Sequence, residues 1–189
     1  MPTVTDQIVD ENNDALSWEG GAFSASTSTI YLGNDGGWNN GGFRFQLNVP
    51  QYAQISSAKI TFTAEGANLS GDTVHVVVRY QDADNPGDFS GDDYAAFEGR
   101  ARSALGVDWD FTTDWVISSQ YDTPDLALLI QALVNEAYWT YGDHCVMFVD
   151  DDGSDGNAYR RAGKMDATLS VTYEKMPRPP AAFNDVAIY

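Results

Sequence analysis

The sequence predicts a mainly β protein: a jelly-roll β-sandwich with one amphipathic helix packed on it as a lid and an extended C-terminal arm. Three observations lead there. Apolar and polar residues alternate at period two in several short runs. Gly, Asn and Asp cluster between those runs, as in GNDGGWNNGG and EGANLSGD, where turns need positive φ. A single run, DTPDLALLIQALVNEAYW, has the period of a helix.

Taken in order, residues 1–26 form an N-terminal segment without a clear period, and the sandwich is expected over 27–173. Phe43, Phe45, Leu47 and Val49 alternate with Arg44, Gln46 and Asn48, which marks a strand buried on one face, and Pro50 stops it. Ala58, Ile60, Phe62 and Ala64 repeat the pattern, as do Val74, Val76, Val78 and Tyr80. Cys145 to Val149 and Leu169 to Tyr173 are two further strands, rich in β-branched and aromatic residues.

The helix is predicted over about 123–138. Leu126, Leu129, Ile130, Leu133, Val134 and Ala137 share one face, Thr123 is placed to cap, Pro124 suits the first turn, and Asp125 suits the positive end of the dipole. Between strand and helix, residues 81–121 are acidic and aromatic. Two readings stand for them: a short helix near Asp92 to Glu98 and an edge strand near Val107 to Phe111 whose rings finish the core, or rings projecting as a stacking platform. Residues 174–189 form an arm, in which Pro177, Pro179 and Pro180 impose an extended spacer before a short apolar end.

Charge narrows the partners. Ten Lys and Arg stand against 28 Asp and Glu, a net charge of −18, which repels nucleic-acid phosphates and anionic membranes. One cysteine, Cys145, allows no intrachain disulfide. The first residues lack the basic and apolar regions of a secretion signal, so the expectation is a chain made and kept in a cytosol unless a dedicated machine exports it.

Several of these elements together resemble a known family. GGFRFQLNVPQYAQISSAKITF, VDWD, YDTPDLALLIQALVNEAYW, AYRRA and the closing LSVTY, spanning roughly 30–173, are similar to jelly-roll domains of the DNRLRE type. Such domains are carbohydrate-binding-like modules of secreted bacterial proteins, and similar sequences occur among bacteriophage structural proteins. The resemblance implies a sandwich with a binding or structural role and describes no reaction. The terminal FNDVAIY looks like the last strand of laminin-G-like lectin domains.

Candidate sites follow from the residue types. FVDDDGSDGNAYRRAGK reads as a hairpin connection; Asp150, Asp152 and Asp155 are its calcium-ligand candidates, but the glutamate that completes an EF-hand loop is missing, and no cofactor is expected. DADNPGD, 82–88, begins like a calcium loop but has Pro86 at a ligand position. Of Arg160 and Arg161, alternation sends one inward, paired with the local aspartates. His75 and His144 form no zinc set or Cys–His dyad with Cys145, and no serine elbow, P-loop or dinucleotide fingerprint is present, so an enzyme is not expected.

The first expectation is therefore a bacteriophage virion protein, made in the host cytoplasm, that decorates or cements a capsid or belongs to the tail. It would act by assembly with capsid or tail proteins and neighbouring copies of itself, through Phe183, Val186, Ile188 and Tyr189 of the arm. The alternative is an extracellular carbohydrate-binding module in which Trp38, Trp109 or Trp115 stacks on a polysaccharide.

Overall fold

The alternating runs become strands of two antiparallel sheets in the computed structural model, which describes residues 1–66 and 72–174. One sheet has four strands in the order β1 (Thr3–Gln7), β12 (Thr168–Glu174), β6 (Gln54–Thr63) and β9 (Gln120–Asp122). The other runs β11 (Tyr159–Gly163), β4 (Thr29–Asn34), β5 (Trp38–Gln46), β10 (His144–Asp151), β7 (Val74–Tyr80) and β8 (Val107–Phe111). To it are added β2 (Asp14–Trp18), paired with β5, and β3 (Ala22–Ser24), paired with β2.

The pairing is nested. β1 pairs with β12, β5 with β10, β6 with β9 and β7 with β8, so partners close from the chain ends inward. That wrapping is a jelly roll. Met147 and Asp14 both lie opposite Phe43, so β10 and β2 flank β5 on its two sides.

Period two sets the main core. Phe43 and Phe45 of β5, Ile60 and Phe62 of β6, Val74, Val76 and Val78 of β7, and Leu169 and Val171 of β12 are all fully buried between the sheets. Residues 1–26, set apart in the sequence reading, belong to the sandwich: β1 extends the smaller sheet beside β12, and β2 and β3 extend the larger. Ile8 and Leu16 enter the core. Val4 and Leu16 lie in runs too short to display a period against Asp- and Asn-rich neighbours, so pairing across the chain decides their state.

The helix is shorter than predicted. α2 spans Ala127–Asn135, after the short α1 (Tyr94–Glu98), and Leu126 occupies its N-cap position without a side-chain cap. Residues 123–126 run along β6 instead. Thr123 N donates to Ile60 O, Ile60 N donates to Thr123 Oγ1, and Leu126 N donates to Ala58 O. Asp125 Oδ1 accepts from both Ala58 N and Ala127 N, so it both edges the sheet and starts the helix. Leu129, Ile130, Leu133 and Val134 are buried against both sheets, which makes α2 a lid over one opening. Ala137 lies beyond the helix and is exposed. Among the described residues no helix is long and apolar enough to cross a membrane.

Residues 81–106 build a second core on the outer face of the larger sheet. Phe89 and Phe97 pack with Ala15, Val146 and Phe148, and the Phe97 and Phe148 rings meet edge to face at 5.6 Å. Gly42 makes room, since a Cβ there would lie 2.8 Å from both Phe89 and Phe97. Arg100 and Arg102 hold the cover down. Arg100 sits 4.6 Å over the Phe89 ring and donates to Gln81 Oε1, Gly87 O and Asp88 O. Arg102 sits 3.9 Å over Phe148 and donates to Phe97 O, Glu98 O and Arg100 O.

Candidate functional site

The structure separates the residues singled out in the sequence. Trp109 and Trp115 are 7% and 2% exposed. Trp115 lies 4.7 Å from Tyr121 at an interplanar angle of 3°, and Trp109 stacks on Phe62 at 5.9 Å, so their ring faces are taken by other rings and, of the two readings of these residues, both finish the core instead of projecting as a platform. The edge strand β8 puts Trp109 on its inward face, between Asp108 and Asp110 on the outward one. Trp38 keeps partial exposure, 6.4 Å from Tyr94 of α1.

The three calcium candidates do not converge. Asp150 is 9% exposed and faces Arg102, whose Nε lies 3.4 Å away; burial raises the Asp150 carboxyl above its ordinary range, against the pull of Arg102. Asp155 Oδ2 accepts from Thr73 N and Ser154 Oγ donates to His75 O, so the turn is stitched to β7. Asp152 is exposed and its N donates to His75 O. Within 82–88, Asp82 accepts from Tyr138 and Asn85 from His144 N, while Pro86 O accepts from Arg44. Among the described residues no group of three or more His, Cys, Asp or Glu is placed to hold a metal ion.

Arg160 is the inward arginine, fully buried, but its partners are not the acids of its own loop. It donates to Thr112 O, Thr113 O and Tyr159 O, with Asp114 at 3.6 Å. The arm residues Phe183, Val186, Ile188 and Tyr189 lie outside the described residues.

Two surfaces emerge that periodicity did not single out. The first is the outer face of the four-stranded sheet. Because Ala58, Ile60 and Phe62, and Leu169, Val171 and Tyr173, turn inward, the alternate residues turn out. The register aligns them in rows across the strands: Thr3, Thr172 and Ser57; Thr5, Ser170 and Lys59; Gln7, Thr168, Thr61 and Asp122. Thr3 Oγ1 and Thr172 Oγ1 are 2.9 Å apart. The charges in these rows are Lys59 and Asp122, and they neutralise each other at 2.5 Å while Thr61 Oγ1 also donates to Asp122. The rows therefore carry no net charge on a chain of net charge −18.

The second is a cleft of about 530 Å³ where β2, β4 and β5 meet. Trp18 and Tyr31, both half-buried against the main core, line it with Glu19, Asp35 and Asn39. Two tight turns shape it. Gly20, Gly21 and Gly36 have φ of 95°, 87° and 72°, a region closed to most side chains, so SWEGG and GNDGG bend where glycine permits. Read as turns, these glycines conceal the aromatics near them; the signal was an aromatic residue two positions before each glycine-rich turn, Trp18 before Gly20 and Tyr31 before Gly33.

Comparison with protein-family models and with curated proteins finds no match to the chain.

Proposed function

We propose that the chain is a structural subunit that acts by protein–protein assembly and not by catalysis, of the kind that decorates or cements a bacteriophage capsid or belongs to its tail. The sequence resemblance described above supplies the virion setting. The observation that carries the assembly reading is the hydroxyl-lined outer face of the four-stranded sheet, whose rows hold one cation and one anion paired with each other and which has Glu174 at its end.

A chain with 18 surplus negative charges repels its own copies and every acidic neighbour. Close docking then favours a face on which charge is sparse and balanced, because like charges set opposite one another oppose association. Thr3, Thr5, Thr168, Ser170 and Thr172 provide one. Their short side chains also lose little rotamer freedom when covered, in contrast to Lys or Glu.

Self-association by sedimentation velocity, over a broad concentration range, tests the reading. Oligomers should form with the native chain and weaken by about tenfold or more in a Thr5→Glu, Ser170→Glu double variant, because each copy then brings two charges to the face. The melting temperature should change little, as both side chains point to solvent. A native chain that stays monomeric throughout, or a variant that associates equally well, would count against the proposal.

A further inference from the structure

We propose that the cleft between β2, β4 and β5 receives the segment KMPRPP, Lys175 to Pro180, of a neighbouring copy of this chain, with the Arg178 guanidinium on Trp18 and between the carboxylates of Glu19 and Asp35. At about 530 Å³ the cleft has room for an arginine side chain and the prolines beside it. Among the described residues no ring or cation covers Trp18, whereas Trp38 meets Tyr94, Trp109 meets Phe62 and Trp115 meets Tyr121. Trp18 and Tyr31 are both partly exposed, and tryptophan is the ring on which a cation is best placed.

The wall of the cleft asks for donors. Glu19 and Asp35 line it, are exposed, and enter no ion pair among the described residues. A Cβ on Gly37 would lie 2.8 Å from Glu19 Oε2, which places that carboxylate across the GNDGG turn. Asn39 is 5% exposed and commits its Nδ2 to Gly33 O at 2.8 Å and Gly37 O at 3.2 Å, and Thr27 Oγ1 donates to Thr29 O. The non-aromatic polar side chains of the wall therefore have acceptors to offer, and a guanidinium carries donors and no acceptor. Arg161, opposite Tyr31 on β11, does not fill this role, because its guanidinium lies against Gly66.

The chain itself holds the matching segment. Lys175 and Arg178 stand among Pro177, Pro179 and Pro180, outside the described residues, while Arg44, Arg100, Arg102 and Arg160 are engaged within the fold. Proline-rich segments suit aromatic-lined grooves, because proline fixes φ and docking then costs little chain entropy. The segment has to come from another copy. Glu174, which precedes it, pairs with Gln54 at one end of β6. The cleft residue Thr27 adjoins Ser28, whose O accepts from Lys164 N, and the preceding Gly163 lies against Thr63 at the other end of β6, roughly 30 Å along the strand. The stretch from Glu174 to Arg178 spans at most about 14 Å. Such a head-to-tail contact rests on the assembly reading and adds to it a joint on the larger sheet, apart from the hydroxyl-lined face.

Fluorescence anisotropy tests the contact: a labelled peptide of residues 174–182 is titrated with the full chain carrying Arg178→Glu, whose own segment then does not compete. Saturable binding is expected, weaker by about tenfold or more for a scrambled peptide, for a peptide with Arg178→Glu, and for a chain that also carries Glu19→Lys or Trp18→Ala. Trp18 also packs on the core, so the exposed Glu19 decides if Trp18→Ala fails to fold. Adding Thr5→Glu and Ser170→Glu to the chain should leave peptide binding unchanged, which separates this outcome from loss of the hydroxyl-lined contact. In that same background, full chains with Glu19→Lys and with Arg178→Glu should each sediment as monomers and associate when mixed, because each supplies what the other lacks. No saturable binding, equal binding of the scrambled peptide, affinity unchanged by Glu19→Lys, or a mixture that stays monomeric would overturn the proposal.

Discussion

Asp14 of β2 and Lys164, in the turn between β11 and β12, meet inside the protein with Oδ1 and Nζ 3.8 Å apart. Asp14 is fully buried and Oδ1 takes no hydrogen bond; Oδ2 accepts from Met165 N, and Lys164 Nζ donates to Ala25 O. A carboxylate so placed is only partly compensated for leaving water. Burial raises its pKa from 3.8 to about 6, although the Met165 N–H and the Lys164 charge both oppose the rise.

The consequence is a measurable pH dependence. Between the unfolded and folded values the native state holds the proton more tightly, so this group favours folding most below its unfolded pKa and loses that advantage as pH rises through about 6. The difference is worth roughly 3 kcal/mol. Urea unfolding of the native chain and of Asp14→Asn should diverge across this window, with the variant showing the flatter pH profile. Parallel profiles from pH 4 to about 7 would show that Asp14 does not titrate as its burial requires.

Leu129→Ala should destabilise by about 2–5 kcal/mol, since Leu129 is fully buried where α2 closes the sandwich and its loss leaves a cavity. Denaturant midpoints measure it. An unchanged midpoint would mean the lid is not part of the cooperative unit.

Arg160→Met removes donors from three backbone carbonyls, Thr112, Thr113 and Tyr159, while keeping much of the buried volume. A loss of about 2–3 kcal/mol is expected, and Arg160→Lys should recover little of it because one ammonium cannot reproduce the planar fork. Full recovery by lysine would show that charge toward Asp114, and not the carbonyl contacts, is what matters.

Chelation should leave stability untouched. Asp150 is committed to Arg102 and Asp155 to Thr73 N, so EDTA is expected to shift the melting temperature by less than about 1 °C. A large fall restored by calcium and not by magnesium would return the acidic turn to the candidate sites.

Much of this molecule was legible in the sequence alone. Alternation in β5, β6 and β7 reported which side chains enter the core, since period two is a local property of the chain, and β-branched and aromatic content marked β10 and β12 as strands, although not that β10 is buried on both faces. The stripe Leu129, Ile130, Leu133 and Val134 fixed a buried helix in the same way, and Val107 to Phe111 did form an edge strand. What needed the tertiary structure was everything set by a distant partner. The helix begins late because Thr123 and Asp125 bond to β6, more than sixty residues away in the chain. Trp109 and Trp115 are core because Phe62 and Tyr121 stack on them, and neither contact leaves a trace in spacing. The hydroxyl rows exist only once β1, β12, β6 and β9 lie side by side in register, and the cleft only once Trp18 is brought beside Tyr31 by strand pairing. Local patterning tells a side chain which face of its own element it occupies; pairing, which joins residues far apart in sequence, decides what that face meets.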